Sequence, residues 1–127
     1  MTATNAELAR GAIGDLARFF ELLDEDIVWD NSAYAPLDQS GVFRGKARVI
    51  QVITDYMNTW KDFRFEVREV VEAGDDVILV VRETALGRGS GAPMEHDYAQ
   101  RWTFRDGRVV NAKSYASKAD AVREAGA

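Results

Sequence analysis

Asp30 is the first residue of this chain placed to do chemistry. It closes a short apolar run, Ile27-Val28-Trp29. A carboxylate beside an apolar cavity can abstract a proton alpha to a carbonyl. The plain alternative is an aspartate capping the loop that follows it. His96, Tyr98, Gln100 and Trp102 alternate along one segment, so they share one strand face. His96 could shuttle a proton near neutral pH, or it is an exposed edge histidine beside the Gly87–Pro93 loop. Tyr98 and Trp102 offer broad apolar surfaces with polar tips, suited to flat ligands or to plain core packing. Arg82 and Thr84 share a face of the neighbouring strand, and Glu83 takes the other. A buried Arg82 would need an acidic partner or an anionic ligand; otherwise it is an exposed arginine at a dimer contact. Tyr34, Tyr56, Met57 and Trp60 could close a pocket from a loop and a helix, or belong to the core.

Other chemistries find no support. The chain has no cysteine and one histidine, so thiol catalysis, disulfides and a multi-histidine metal site are excluded within it. No metal and no cofactor are expected. Gly87-Arg88-Gly89-Ser90-Gly91 lacks the Gly-Lys-Ser/Thr ending of a phosphate loop and precedes no helix. The net charge is -5, and the basic residues are scattered beside acids, so nucleic acid and anionic membrane are poor partners. No apolar run approaches the ~20 residues of a membrane span. The first ten residues lack a signal-peptide layout. These features lead us to expect a cytoplasmic protein.

At 127 residues, 46% hydrophobic and 29% charged, one globular domain over 1–127 is expected. Leu16, Phe19, Phe20 and Leu23 form one stripe of a helix from Asp15 to Leu23, with Asp15 as cap. A weaker helix from about Asn5 to Arg10 would end at Gly11. Asp26 to Asn31 reads as a short strand, and Ser32 to Gly41 as a loop containing Pro36. Val49, Ile50, Ile53, Tyr56, Met57 and Trp60 mark a long helix from Gly45 to Trp60. Then the period becomes two. Phe63–Glu72, Val77–Leu86, Glu95–Arg105 and Arg108–Tyr115 read as consecutive antiparallel strands. Gly74-Asp75-Asp76 and Asp106-Gly107 are their turns. Ser117 opens a last helix, with Gly126 as its C-terminal cap. Strands that run together predict an α+β fold, with the helices on one face of the sheet. A curved sheet over the long helix leaves a cone, either filled by side chains or kept as a pocket.

Several stretches carry a resemblance. Gly14-Asp15-Leu16, with Leu22-Leu23-Asp24-Glu25-Asp26-Ile27-Val28-Trp29, resembles the opening of SnoaL-like domains in the nuclear transport factor 2-like superfamily. Phe43-Arg44-Gly45-Lys46-Ala47 resembles their lead-in to the long helix. Trp60-Lys61-Asp62-Phe63-Arg64-Phe65-Glu66-Val67 resembles a strand start, and Trp102 through Val110 a hairpin of that family. The resemblance covers nearly the whole chain. It implies a cone-shaped, curved antiparallel sheet on about three helices, of cystatin-like type, and frequent sheet-to-sheet homodimers. Val77–Val81, apolar on both faces, also asks for cover on both sides.

The resemblance places Asp30 on the general-base aspartate of ketosteroid isomerases. Gln100 falls where they hold a protonated acid that donates to the oxyanion. Their first-helix tyrosine has no counterpart near Glu7 and Leu8. Two of three parts are changed or missing, which points away from steroid isomerisation and leaves acid-base work at Asp30. The expectation is a cofactor-free isomerase, cyclase or hydrolase for a small apolar or polycyclic molecule. Its catalytic residues would be Asp30, Gln100 and His96. Tyr34, Tyr56, Trp60, Arg82, Tyr98 and Trp102 would hold the ligand. The alternative is a non-catalytic ligand-binding or dimerisation module of the same fold.

Overall fold

The computed structural model describes residues 3–34 and 40–125. Pro36 and Gly126, assigned from sequence to a loop and a cap, lie outside the described residues. Thr4 opens α1 (Asn5–Ala12) with a capping box: its hydroxyl accepts from the Glu7 N–H, and the Glu7 carboxylate accepts from the Thr4 N–H. This helix runs through Gly11 rather than ending there. Asp15 caps α2 (Leu16–Leu22), accepting from the Arg18 N–H at 3.1 Å. Leu16 stays 43% exposed, so the expected stripe is shorter. Leu23 already belongs to β1 (Leu23–Asp30) and is fully buried.

A short strand, β2 (Val42–Arg44), pairs with β1 where no strand was expected. Gly45, at φ 90°, turns the chain into α3 (Lys46–Asn58). The helix stops two residues before Trp60, which instead begins β3 (Trp60–Ala73). The sheet continues with β4 (Asp76–Gly87), β5 (Pro93–Arg105) and β6 (Arg108–Tyr115). Asp106 and Gly107 both take positive φ, 52° and 76°, as a two-residue hairpin turn needs. Finally, α4 (Lys118–Glu124) is capped by Ser117.

The six strands lie in the order β2-β1-β6-β5-β4-β3. The four consecutive strands pair antiparallel, and β1 joins them parallel to β6. The fold is therefore the expected α+β type, with four helices and one parallel pair among the described residues. The inner face carries the main core, including Leu23, Ile27, Val49, Val77, Leu79 and Val81. Burying each such side chain stabilises the fold by roughly 1.5–3 kcal/mol.

The outer face has its own cluster, Ile78, Ala99 and Tyr115 against Ala121 of α4. The helices thus flank both faces, not one. The outer cover that Val77–Val81 requires comes, at Ile78, from the same chain. Among the described residues, no helix is long and apolar enough to cross a membrane.

Candidate functional site

An open cavity of about 370 Å³ lies on the inner face, between α2, α3 and the sheet. One wall is apolar: Val52, Ile53 and Met57 from α3, with Phe63 and Phe65 from β3. Strand β5 supplies Tyr98, Gln100 and Trp102, because alternate residues share a face. Ser114 of β6 and Asn31, just past β1, continue the polar side, with the Ser114 hydroxyl donating to Asn31 Oδ1 at 3.1 Å.

The expected trio on β5 is therefore brought together. Trp102 Nε1 donates to Gln100 Oε1 at 2.9 Å, and Gln100 Nε2 donates to the Tyr98 hydroxyl at 3.2 Å. These bonds fix the amide orientation of Gln100. They leave its second Nε2–H without a partner among the described residues, available to an oxygen in the cavity. Phe19 packs on the Trp102 ring at 5.3 Å between centroids.

Two expected residues point to the outer face of the sheet. Ile27 and Trp29 of β1 point inward, so Asp30 points outward and does not line the cavity. Its carboxylate accepts from the Ser32 N–H at 2.8 Å, which is the capping alternative. Burial pushes the Asp30 carboxyl up, but hydrogen bonds from Ser32 and the charges of Lys113 and Arg101 outweigh it and hold the group below its ordinary value. Arg82 is likewise on the outer face, bridged to Glu95 at 3.0 Å and Asp97 at 3.2 Å. The reason is register: Arg82 stands opposite Asp97, and Glu83 opposite His96.

Sequence reasoning missed Glu83, as it missed Asn31 beside Asp30. Glu83 is 3% exposed and lines the cavity. Asp15 also lines it, but as the exposed cap of α2 at the rim. Glu83 Oε1 accepts from the Tyr56 hydroxyl at 2.9 Å and meets His96 Nε2 at 2.8 Å. Oε2 accepts a short hydrogen bond from the Tyr98 hydroxyl. A carboxylate has about four acceptor positions, so one on Oε2 remains. Burial and the nearby Glu83 charge push the Tyr98 and Tyr56 hydroxyls far above the usual phenol range, so both stay donors.

His96 and Tyr34 stand behind Glu83, outside the described cavity lining. His96 stacks on Tyr98 with centroids 5.0 Å apart and planes 8° apart. Its Nδ1 meets the Tyr34 hydroxyl at 2.6 Å. Tyr34 stacks in turn on Tyr98. Trp60 lies edge-on to Tyr56 and does not line the cavity. Tyr56 does, so of the two helix aromatics considered only one reaches the site. Among the described residues, no three histidine, aspartate or glutamate side chains converge as metal ligands would.

This geometry offers one buried carboxylate, which takes both phenol O–H groups, and one free amide N–H of Gln100 along the polar side of an apolar chamber. It can polarise a carbonyl and accept the proton beside it.

A family model described as a SnoaL-like domain matches residues 7–112. A comparison with curated proteins returns no match. Among solved structures, a nuclear transport factor 2-like protein from Burkholderia thailandensis is similar at 20% identity and TM-score 0.79, covering 99% of each chain. An isomerase candidate from Bacillus subtilis is similar at 26% identity and TM-score 0.70, covering 96% of this chain and 91% of its own. TerC, crystallised with polyporic acid, is similar at 17% identity and TM-score 0.66, covering 98% and 94%.

Proposed function

Because this chain belongs to the SnoaL-like domain family, we propose that it binds a small, largely apolar molecule in the inner cavity and acts on it without a cofactor, with Glu83 as the acid-base carboxylate. The reaction type is isomerase, cyclase or hydrolase. Gln100, through its second Nε2–H, orients an oxygen of the ligand, and the aromatic and aliphatic walls hold its body. The observation that carries this reading is the position of Glu83: 3% exposed, yet opening onto an apolar chamber. Water exclusion there strengthens each polar contact the ligand makes. The similarity to a protein crystallised with polyporic acid and to an isomerase candidate supports the ligand class and the reaction type.

A second reading, a non-catalytic binding module, is favoured by the three hydrogen bonds that already occupy Glu83. A dimer belongs to either reading, supported by the outer strand surface beyond α4, where Val80, Arg82 and Thr84 are only half-buried; light scattering at twice the single-chain mass tests it. The lack of cysteine suits a cytoplasmic setting.

The deciding experiment uses 2-tetralone, a flat apolar ketone, in deuterated buffer. Binding is read from the Trp102 indole signal, and proton abstraction from deuterium uptake at the carbon beside the carbonyl. Catalysed uptake is expected, falling about a hundredfold or more in Glu83→Gln with binding retained. Binding without catalysed uptake would favour the binding module.

A further inference from the structure

The chamber carries charge of one sign. Glu83 lies in its wall with the side chain 4% exposed, and Asp15 stands at the rim. No lysine, arginine or histidine is among the described residues that line it. The contacts of Glu83 are hydrogen bonds, from the Tyr56 and Tyr98 hydroxyls and from His96. They are complete with a neutral ring: the Tyr34 hydroxyl donates to Nδ1, and the opposite Nε2–H donates to Glu83. Such bonds fill acceptor positions without cancelling the carboxylate's charge. Burial first, and the charge of Glu83 next, push the hydroxyls of Tyr34, Tyr56 and Tyr98 above their ordinary value.

The rest of the wall also favours a cation. Phe19, Trp29, Phe65 and Trp102 line it. Phe19 meets Trp29 with planes 74° apart and Trp102 with planes 30° apart. Rings at such different tilts present faces as well as edges to the space between them. An aromatic face carries partial negative charge and attracts an ammonium group, most strongly where water is excluded. An anionic ligand would meet two carboxylates there and no cation among the described lining residues, which is costly.

We propose that the ligand of the inner cavity is an organic cation: an apolar body bearing a protonated or quaternary amine, held between the aromatic rings and the open side of Glu83. The proposal rests on the reading of this cavity as the ligand chamber with Glu83 ionised in its wall, and it adds the ligand's charge. One acceptor position of Oε2 remains for an ammonium N–H, or for the polarised C–H beside a quaternary nitrogen. The free N–H of Gln100 asks for an oxygen on the same molecule. The class is therefore an apolar amine that also carries a carbonyl, hydroxyl or ether oxygen. Asp15 is exposed, so salt screens its pull on such a cation; Glu83 is buried, and salt screens it far less.

The test compares three probes on one bicyclic skeleton. At neutral pH 2-aminotetralin carries an ammonium, 2-tetralol a neutral hydroxyl and 2-tetralone a ketone. Binding is read from the Trp102 indole signal. 2-Aminotetralin is expected to bind about tenfold or more tighter than 2-tetralol. That preference should persist when sodium chloride is raised from about 0.05 M to about 0.5 M. In Glu83→Gln, a neutral side chain of the same shape, it should fall to about threefold or less, with 2-tetralol binding unchanged. Should that variant lose its fold, the preference and its salt response in the unsubstituted protein decide alone. The nitrogen-15 shifts of His96, the single histidine of the chain, should be those of a neutral ring at about pH 7.5.

Equal binding of 2-aminotetralin and 2-tetralol would overturn the proposal. So would a preference that disappears in salt, the mark of attraction to the acidic surface, or one undiminished in a folded Glu83→Gln. An imidazolium spectrum for His96 would overturn it as well, because Glu83 would already be paired with a charge of opposite sign. Where any of these accompanies 2-tetralone deuterium uptake that depends on Glu83, the acid-base reading stands without the cation. If none of the three probes moves the indole signal, the chamber reading falls and the cation with it.

Discussion

Glu83 and His96 face each other across one rung of the β4–β5 ladder, and the carboxylate Oε1 meets the imidazole Nε2 at 2.8 Å. Neither side chain could hold its place alone. A buried carboxylate without donors is costly, and an imidazole has two nitrogens to satisfy. The rung supplies one partner to each, and Tyr34, Tyr56 and Tyr98 supply the others.

Truncation at Glu83 should therefore be expensive. Glu83→Ala leaves the Tyr56 and Tyr98 hydroxyls and His96 Nε2 without their buried acceptor. The expected loss is about 2–4 kcal/mol, read from urea unfolding. Glu83→Gln keeps an acceptor oxygen and should lose clearly less. Equal, small losses in both variants would mean that the network does not hold this end of the sheet together.

The tyrosines give a pH signature. The chain has four, Tyr34, Tyr56, Tyr98 and Tyr115. All four hydroxyls are held above the ordinary value of 10.0, with burial as the first cause in each. Glu83 adds to the rise at the first three. A raised value favours the folded state while the phenol is neutral. That stability is fully present below pH 10.0 and is lost as pH rises from there toward the folded values. Tyrosinate absorbance should thus lag behind free tyrosine and appear together with unfolding. Reversible titration of all four near 10 in the folded protein would contradict these positions.

Asp30→Asn separates the two carboxylates. Asp30 points away from the cavity and accepts from Ser32. Its substitution should leave 2-tetralone binding and deuterium uptake at the level of the unsubstituted protein. Because the folded carboxyl is held below its ordinary value, its contribution to stability is present above about pH 3.8 and fades as pH falls. The variant should lose about 1 kcal/mol or less at neutral pH and nothing in strong acid. Loss of uptake with an intact fold would return Asp30 to the mechanism.

Period-two spacing from Phe63 onward and the Asp106-Gly107 turn made β3 to β6 legible, and the β5 trio followed from simple alternation. Two strands were ambiguous for one physical reason. Ile27-Val28-Trp29 and Val77 through Val81 are apolar on both faces, so neither run shows which parity points inward. That parity decides between Asp30 and Asn31, and between Arg82 and Glu83. For β4 it is fixed by the register with β5, where Val77 opposes Trp102 and Glu83 opposes His96. A register is a long-range fact, absent from local spacing. The double apolarity at Ile78 reflects α4, which packs across the outer face although the sequence pattern put the helices on one face.

The cavity itself can be tested by filling it. Ile53 lies on α3, is half-buried and lines the apolar wall. In Ile53→Phe the larger ring must enter the chamber, because the helix backbone fixes where the side chain starts. An open apolar cavity leaves its lining without contacts, so adding atoms there should be neutral or stabilise by up to about 1 kcal/mol. The same atoms occupy the volume a ligand needs. Binding of 2-tetralone, followed by the Trp102 indole signal, should weaken about tenfold or more, equivalent to roughly 1.4 kcal/mol. The carboxylate network is untouched by this change, so the His96 nitrogen-15 signals should keep their positions. Undiminished binding would place the ligand outside the chamber. A large loss of stability would show instead that the space beside Ile53 is already filled by its neighbours, and the binding reading of the inner face would fall.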